Sequence, residues 1–355
     1  MSVKFADRQV GGGAPCFITF EAGPTHNGLE SAKRLVSLAA KAGGDAVKFQ
    51  ILDPDRLVAD KALPFTYEVL VDKASGKTET ITEPLYDILA RRAMSHAEWR
   101  ELKAHADACG VAFFATVGFP DEVDLLQKLK CDSIKIASAD VNHLPLIRQV
   151  AKTGMCLQLD TGNSSIGEIE EAIDVIRAEG NENIIIHHCP SGYPAHLESI
   201  NLNVIPTLKR MFAYPIAYSD HTPGWEMDVA ALALGVDLIE KSITEDRTTR
   251  SIEHIFSLEP GDMKAFISTV RDVETAMGST LRILHAEEKE RRKGARRSIC
   301  AMRELKAGHV LGEDDLDYRR PGFGIAPDEM ERVVGRKLAR AYGAGEAFDW
   351  ADLEG

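Results

Sequence analysis

The sequence predicts an α/β fold: a parallel (β/α)8 TIM barrel followed by a small second domain. Three observations carry this. Between residue 16 and about 278, eight short apolar runs alternate with longer amphipathic stretches. The runs are near-continuously apolar, as parallel strands covered on both faces should be. The last 60 or so residues lose that rhythm. A doubly wound open sheet also fits the alternation, but eight strand–helix units in succession are what a closed barrel requires.

In chain order, residues 3–13, with Gly11, Gly12 and Gly13, read as a short hairpin plugging the barrel bottom. Strands are expected at 16–22, 46–50, 112–116, 133–137, 155–160, 184–188, 214–218 and 238–242, where Val, Ile and Phe concentrate. Helices are expected between them, among others at 29–42, 96–109, 165–178 and 226–234. The third of these has Ser164 or Ser165 as N-cap and Glu168 in its first turn. Residues 52–95 are too long for an ordinary βα loop, and the polar stretch 72–82 is expected as an exposed excursion on the active-site side. The charged run 287–293 reads as a solvated linker or helix face. The expected division is therefore a barrel at 1–278, a linker at 279–295 and a small, mostly irregular domain at 296–355. That domain should hold strand-like pieces at 297–301, 308–311 and 346–348.

Composition narrows the function. Hydrophobic residues make up 44% and charged residues 27%, which is ordinary globular composition. The formal net charge of -13 repels nucleic acid and anionic membrane, so neither is expected as a partner. An anionic substrate would need a local cluster of Lys or Arg. The six cysteines are scattered singly, with no CxxC pair, which argues against a zinc site and a disulfide framework and points to the reducing cytoplasm. No secretory signal and no membrane-spanning run is read.

Chemistry in such a barrel collects at the C-terminal ends of the strands. The polar residues of this sequence fall there: Glu21, Lys48 with Gln50, Thr116, Lys135 with Ser138 and Asp140, Asp160, His187 with His188, Ser219 through Thr222, and Glu240 through Ser242. Lys48, Lys135 and Lys241 lie inside apolar strands, where an unpaired lysine is costly. Each is either neutralised by a carboxylate such as Glu21, Asp140 or Glu240, or belongs to a cradle for phosphate or carboxylate. Three at one mouth favour the cradle, although Lys241 can also face outward. A Schiff-base lysine is a third reading. His221 stands alone, and spacing by itself gives only a weak case for a metal.

These mouth residues resemble the sialic acid synthase family. The resemblance is carried by Phe20-Glu21-Ala22-Gly23-Pro24-Thr25-His26-Asn27-Gly28, Ala46-Val47-Lys48-Phe49-Gln50, Lys135-Ile136-Ala137-Ser138, Thr161-Gly162, His188-Cys189 with Tyr193-Pro194, Asn201-Leu202, and Tyr218-Ser219-Asp220-His221-Thr222. Near the end, Arg319-Arg320-Pro321-Gly322 with Gly324-Ile325 resembles that family's antifreeze-like (SAF) domain. The match runs nearly the whole chain in the right order.

The resemblance implies a reaction in which phosphoenolpyruvate adds to the aldehyde of an open-chain, acylated, N-acetylmannosamine-like amino sugar. A nine-carbon 2-keto sugar acid and phosphate result. It implies catalytic roles for Glu21, Lys48, Lys135 and His221. Phosphoenolpyruvate would be bound by Lys48, Thr116, Lys135, Ser138 and Ser219, and the sugar by Glu21, Gln50, Tyr193, Glu253 and Arg320. It implies a divalent cation, Mn2+ or Mg2+, on His221, and a domain-swapped homodimer in which Arg320 enters the partner's barrel. This sequence departs from the pattern at several positions. Ser242 replaces the family's second metal-binding histidine, and a hydroxyl is a poor substitute for imidazole. Asp160 replaces a serine and brings a carboxylate near the expected phosphate, which repels it unless a metal or lysine intervenes; it is also a further candidate metal ligand. Ser191, Glu253 and Asp140 stand where asparagine, aspartate and glutamate are usual. Alternatives that remain open are a synthase-like barrel acting on another aldehyde, and a degraded sugar-binding or regulatory homologue.

Overall fold

Eight parallel strands close on themselves in the computed structural model, which describes residues 1–355. An antiparallel hairpin, β1 (Ser2–Phe5) and β2 (Arg8–Gly11), comes first. β3 (Phe17–Glu21) and β4 (Ala46–Gln50) begin the barrel, and a second antiparallel hairpin, β5 (Pro64–Asp72) and β6 (Lys77–Pro84), is inserted after them. β7 (Ala112–Val117), β8 (Ser133–Ile136), β9 (Cys156–Asp160), β10 (Ile184–His188), β11 (Ile216–Asp220) and β12 (Leu238–Ser242) complete the circle. β12 pairs back onto β3 with Ser242 opposite Glu21. The helices are α1 (Leu29–Ala42), α2 (Pro54–Leu57), α3 (Leu85–Ala90), α4 (His96–Cys109), α5 (Pro120–Lys128), α6 (Leu144–Lys152), α7 (Ile166–Ala178), α8 (Leu197–Ile200), α9 (Val204–Met211), α10 (Glu226–Ala233) and α11 (Pro260–Met277).

The period of two along each strand sorts its side chains. Ile18, Phe20, Val47, Phe49, Ile134 and Ile239 pack outward with helix residues such as Leu35, Ile147 and Phe266, forming the main core. Phe17, Ala46, Phe114, Ile185 and Leu238 face inward at the strand starts, and Val3, Phe5 and Val10 of the first hairpin pack onto them. Phe5 stacks on Phe17 at 4.6 Å and meets Phe114 edge-on at 5.2 Å, so the hairpin plugs the barrel bottom. Chemistry is thereby confined to the opposite end. α7 starts on the expected capping box, Ser165 with Glu168.

Two expectations change. The polar stretch 72–82 is exposed as expected, apart from Ile81, but it belongs to an antiparallel hairpin whose register shifts between Leu70 and Asp72, with Tyr67, Val69 and Ile81 packed on Ile88 of α3 in a small core of their own. The seventh barrel strand starts at Ile216, two residues later than expected, and runs through Asp220. Pro215 has no N–H to give a ladder, and only its carbonyl is used, accepting from Ile186 N–H at 3.1 Å.

The chain divides into two units, Met1–Gly278 and Ser279–Gly355. Residues 279–295, read as a linker, fall in the second unit and carry α12 (Ala286–Ala295). Gly322 N–H donates to Lys293 O at 2.8 Å, tying that helix to the rest of its unit. The unit holds two short antiparallel pairs, β13 (Ser298–Ala301) with β14 (Leu316–Arg319) and β15 (Lys337–Leu338) with β16 (Leu353–Glu354). Ile299, Leu311, Tyr342 and Phe348 form its core. The expected pieces near 310 and 347 are single bridges, Val310 to Lys337 and Ala347 to Cys300.

Candidate active site

The inward positions at the upper ends of the strands are polar and converge. Lys48 of β4 and Lys135 of β8 are both buried, and a single carboxylate, Glu240 of β12, lies between them. Lys48 Nζ donates to Glu240 Oε1 and Lys135 Nζ to Glu240 Oε2, each at 2.7 Å. Lys48 is also ion-paired with Glu21, and Lys135 with Asp160 at 2.9 Å. The lysine expected to be needed beside Asp160 is thus present.

Charge and burial compete here with different outcomes. Burial lowers Lys48, the neighbouring Lys135 charge adds to that, and Glu240 only partly opposes it, so its pKa lies below the ordinary value. Burial also lowers Lys135, but Asp160 and Glu240 outweigh it, and its pKa is raised. Burial would raise Glu240, yet Lys135 and Lys48 hold it well below the usual carboxylate range. Below this triad, Ser219 Oγ accepts from Lys135 at 3.2 Å and lies 2.9 Å from His187 Nδ1. His187 Nε2 lies 2.8 Å from Gln158 Oε1, while the Gln158 amide donates to Ser133. That fixes His187 with Nε2 protonated and Nδ1 accepting from Ser219. Burial first and Lys135 second push its pKa down to about 3, so it is neutral.

A cavity of about 460 Å³ opens above these groups. It is lined by Glu21, Lys48, Gln50, Thr116, Ser138, Asp160, Tyr193, His221, Glu240 and Glu253, together with Asp140 and Cys189. Ser219 lies just beneath, bonded to Lys135. The loops that bring these residues together need small residues at two points. A Cβ on Gly23 would sit 2.5 Å from Glu21 Oε1 and 2.7 Å from Gln50 N. Gly23 N–H instead donates to that Glu21 oxygen at 2.6 Å. A Cβ on Gly162 would come within 2.6 Å of Cys189 O.

The His221 ring faces Tyr193 at 4.9 Å, and its Nδ1 lies 3.2 Å from the Pro190 carbonyl. An Nδ1–H donated there leaves the Nε2 lone pair free, the arrangement a metal-binding imidazole uses. Ser242 Oγ donates to Glu253 Oε2 at 3.2 Å. Glu253 has φ 68°, a left-handed conformation that strains a residue with a Cβ, so its carboxylate is held at the cavity at a conformational cost. No three His, Cys, Asp or Glu side chains converge as a ligand set.

Two expected residues lie elsewhere. Lys241 is an outward position of β12, fully buried behind the barrel, with Asp220, Asp228 (3.4 Å) and the Thr222 carbonyl (2.7 Å) around it. It is a structural lysine, so two lysines, not three, meet at the mouth. Arg320 lies in the second unit and is exposed, whereas its neighbour Arg319 is paired with Asp317 at 2.5 Å. In the sequence, Glu240 figures only as a neutralising partner for a lysine, and Gln158 does not stand out. Both face inward at the same parity as Lys48 and Lys135, a signal visible along each strand.

The NeuB family model matches residues 35–282, and a SAF domain model matches residues 296–354. The chain belongs to the NeuB family. As a member of this sialic-acid-type synthase family it is an enzyme. It is 33% identical to the N,N'-diacetyllegionaminic acid synthase of Campylobacter jejuni over 92% of this chain and 96% of that one. It is 32% identical to the human N-acetylneuraminate-9-phosphate synthase over 93% and 90%. Among solved structures, the N-acetylneuraminic acid synthetase of Leptospira borgpetersenii, in complex with citrate, superposes with a TM-score of 0.71 at 28% identity, covering 82% of this chain and 95% of that one.

Proposed function

We propose that this NeuB-family enzyme condenses phosphoenolpyruvate with the aldehyde of an open-chain acylated amino sugar, releasing phosphate and forming a nine-carbon 2-keto sugar acid. The observation that carries the reading is the pair Lys48 and Lys135, desolvated and bridged by Glu240, with Lys48 and Glu240 lining the cavity at the barrel mouth and Lys135 buried directly behind Glu240 and Asp160. A trianionic donor replaces some of their carboxylate contacts with charge-assisted bonds to phosphate and carboxylate oxygens. Hydroxyls of Thr116, Ser138 and Ser219 complete the donor's contacts. Glu21, Gln50, Tyr193 and Glu253 hold the acceptor.

The cavity carries five carboxylates, Glu21, Asp140, Asp160, Glu240 and Glu253, against Lys48 in its lining and Lys135 buried behind Asp160 and Glu240. That surplus of negative charge suits a cation, and His221 has one nitrogen free for it. Ser242 in place of a second imidazole leaves the remaining contacts to substrate oxygens, water and nearby carboxylates, with Asp160 the candidate among them. A divalent ion so held supplies Lewis-acid polarisation of the aldehyde. The protein's own groups orient the two substrates and hold the donor's charge. The enzyme acts as a homodimer, the exposed Arg320 of each copy completing the other's site. The test is phosphate release from phosphoenolpyruvate with a panel of acylated amino hexoses in the presence of manganese. No release with any member overturns the reading.

A further inference from the structure

Lys135 has no donor to spare. Its three N–H groups meet three acceptors: Glu240 Oε2 at 2.7 Å, Asp160 Oδ1 at 2.9 Å and Ser219 Oγ at 3.2 Å. It is fully buried, and Asp160 and Glu240 stand between it and the cavity that they line. Lys48 lines that cavity itself and has two acceptors, Glu21 and Glu240. One N–H of Lys48 is therefore free, whereas an anion reaches Lys135 only by taking the place of one of its acceptors.

Hydrogen bonding decides which acceptor yields. A chain with a single direction runs beneath Lys135. Ser133 Oγ donates to the Cys156 carbonyl at 2.7 Å, so it accepts from the Gln158 amide at 3.1 Å. Gln158 Oε1 then accepts from His187 Nε2–H at 2.8 Å, and His187 Nδ1 takes the Ser219 proton at 2.9 Å. A hydroxyl has one proton to give. Ser219 Oγ lies 3.3 Å from Asp160 Oδ1 but has none left for it. Asp160 is thus held by Lys135 alone, through one oxygen, at the cavity wall. Glu240 is held through both oxygens, by two lysines.

Resting on the synthase reading, we propose that Asp160 is an internal competitor of the donor: its carboxylate occupies, on Lys135, the place that a phosphate or carboxylate oxygen of phosphoenolpyruvate takes, and the donor binds by displacing it. A ligand's apparent affinity falls with the fraction of molecules whose site is open to it, and here the contact with Asp160 keeps that fraction small.

Isothermal calorimetry with phosphoenolpyruvate and the intact chain tests this, in EDTA so that no cation enters the comparison. Asp160→Ser, shorter and uncharged, should bind phosphoenolpyruvate at least about tenfold more tightly than the wild type. Asp160→Asn still offers Lys135 a neutral oxygen and should show a smaller gain in the same direction. It carries the test if Asp160→Ser does not fold. In a Lys135→Met background there is no lysine to release, so Asp160→Ser should change affinity by less than about threefold. Unchanged or weaker binding in the Asp160 variants overturns the inference. So does a gain of equal size in the Lys135→Met background, since Asp160 would then act on the donor by repulsion and not by filling its place. Either result, with phosphate still released by the wild type, leaves the synthase reading standing. Absence of binding in all of these proteins also overturns the inference, and if phosphate release is absent as well, the synthase reading falls with it.

Discussion

At the scale of single residues, the chemistry rests on balanced burial. Glu240 accepts from two desolvated lysines side by side, and removing either lysine leaves its carboxylate partners uncompensated. Lys135→Ala should weaken phosphoenolpyruvate binding by about 2 to 5 kcal/mol, the range for losing one member of a desolvated charge pair. Isothermal calorimetry reads this directly, and unchanged affinity in both Lys135→Ala and Lys48→Ala would refute the anion-cradle role. The metal position gives a second test. Ser242 Oγ is engaged with Glu253, so the strand-12 position offers a hydrogen-bond donor where an imidazole would offer a lone pair. Ser242→His should tighten manganese binding in a titration, and no gain removes this account of the position. Asp160 is bound to Lys135. If Asp160→Ser leaves manganese affinity untouched, Asp160 serves to pair that lysine and not to hold the ion.

At the scale of elements, strand parity decides which polar residues do chemistry. Glu240 and Lys241 are neighbours in β12, yet one faces the cavity and the other faces α10. Burial alone would lower Lys241, and Asp228 and Asp220 together overcome it, so its pKa is raised. Asp220 in turn accepts from Thr222 N–H at 3.1 Å and from Tyr218 OH at 3.0 Å, fixing the start of the loop that carries His221. Lys241→Met leaves two carboxylates buried without a cation. The expected loss is about 3 to 5 kcal/mol of stability, seen as a lower urea midpoint. Phosphoenolpyruvate affinity should change less than in Lys135→Ala. A midpoint like that of the wild type would contradict the structural assignment.

At the scale of the whole molecule, charge is divided between the units. Residues 279–355 carry 15 Lys and Arg against 15 Asp and Glu, so the net charge of -13 belongs to residues 1–278. Within the second unit, Lys289, Arg292, Lys293, Arg296 and Arg297 line one concave surface. A basic face on one copy and an acidic barrel on another favour association, and light scattering should give a dimer at micromolar concentration. A fully active monomer contradicts this. The acid limb of stability is also set by the barrel. His26, His187 and His254 are held neutral, chiefly by burial, at about 4, 3 and 4 against an ordinary 6.5. A depressed folded value means the stabilisation is present above 6.5 and is lost as pH falls below it. Glu122, pushed up to about 7 by burial, acts in the opposite sense. The three histidines therefore make the unfolded chain the stronger proton binder below pH 6.5, and their contribution to stability falls as the pH is lowered from 6 to 5. A urea midpoint equal at both pH values would show that these histidines are not buried neutral.

Much of this protein is legible in its residues alone. Near-continuous apolar runs at regular intervals specify parallel strands, because a strand covered on both faces has no solvated side to encode. The order of short motifs from Phe20 to Ile325 identifies the family, and placing polar residues at strand ends locates Lys48, Gln50, Thr116 and Lys135 at one mouth, since barrel topology sends every strand end to the same face. The inserted hairpin and the helix in 286–295 are less legible. Both are mostly polar, and their structure comes from packing on one side, against Ile88 in the first case and through the Lys293–Gly322 contact in the second. Tertiary structure alone decides how charges are shared. Three lysines within apolar strands look alike in sequence. Which two meet across Glu240, and which one turns outward to Asp220 and Asp228, depends on the parity and register of strands that lie far apart in the chain, because a pair of charges is defined by distance in space.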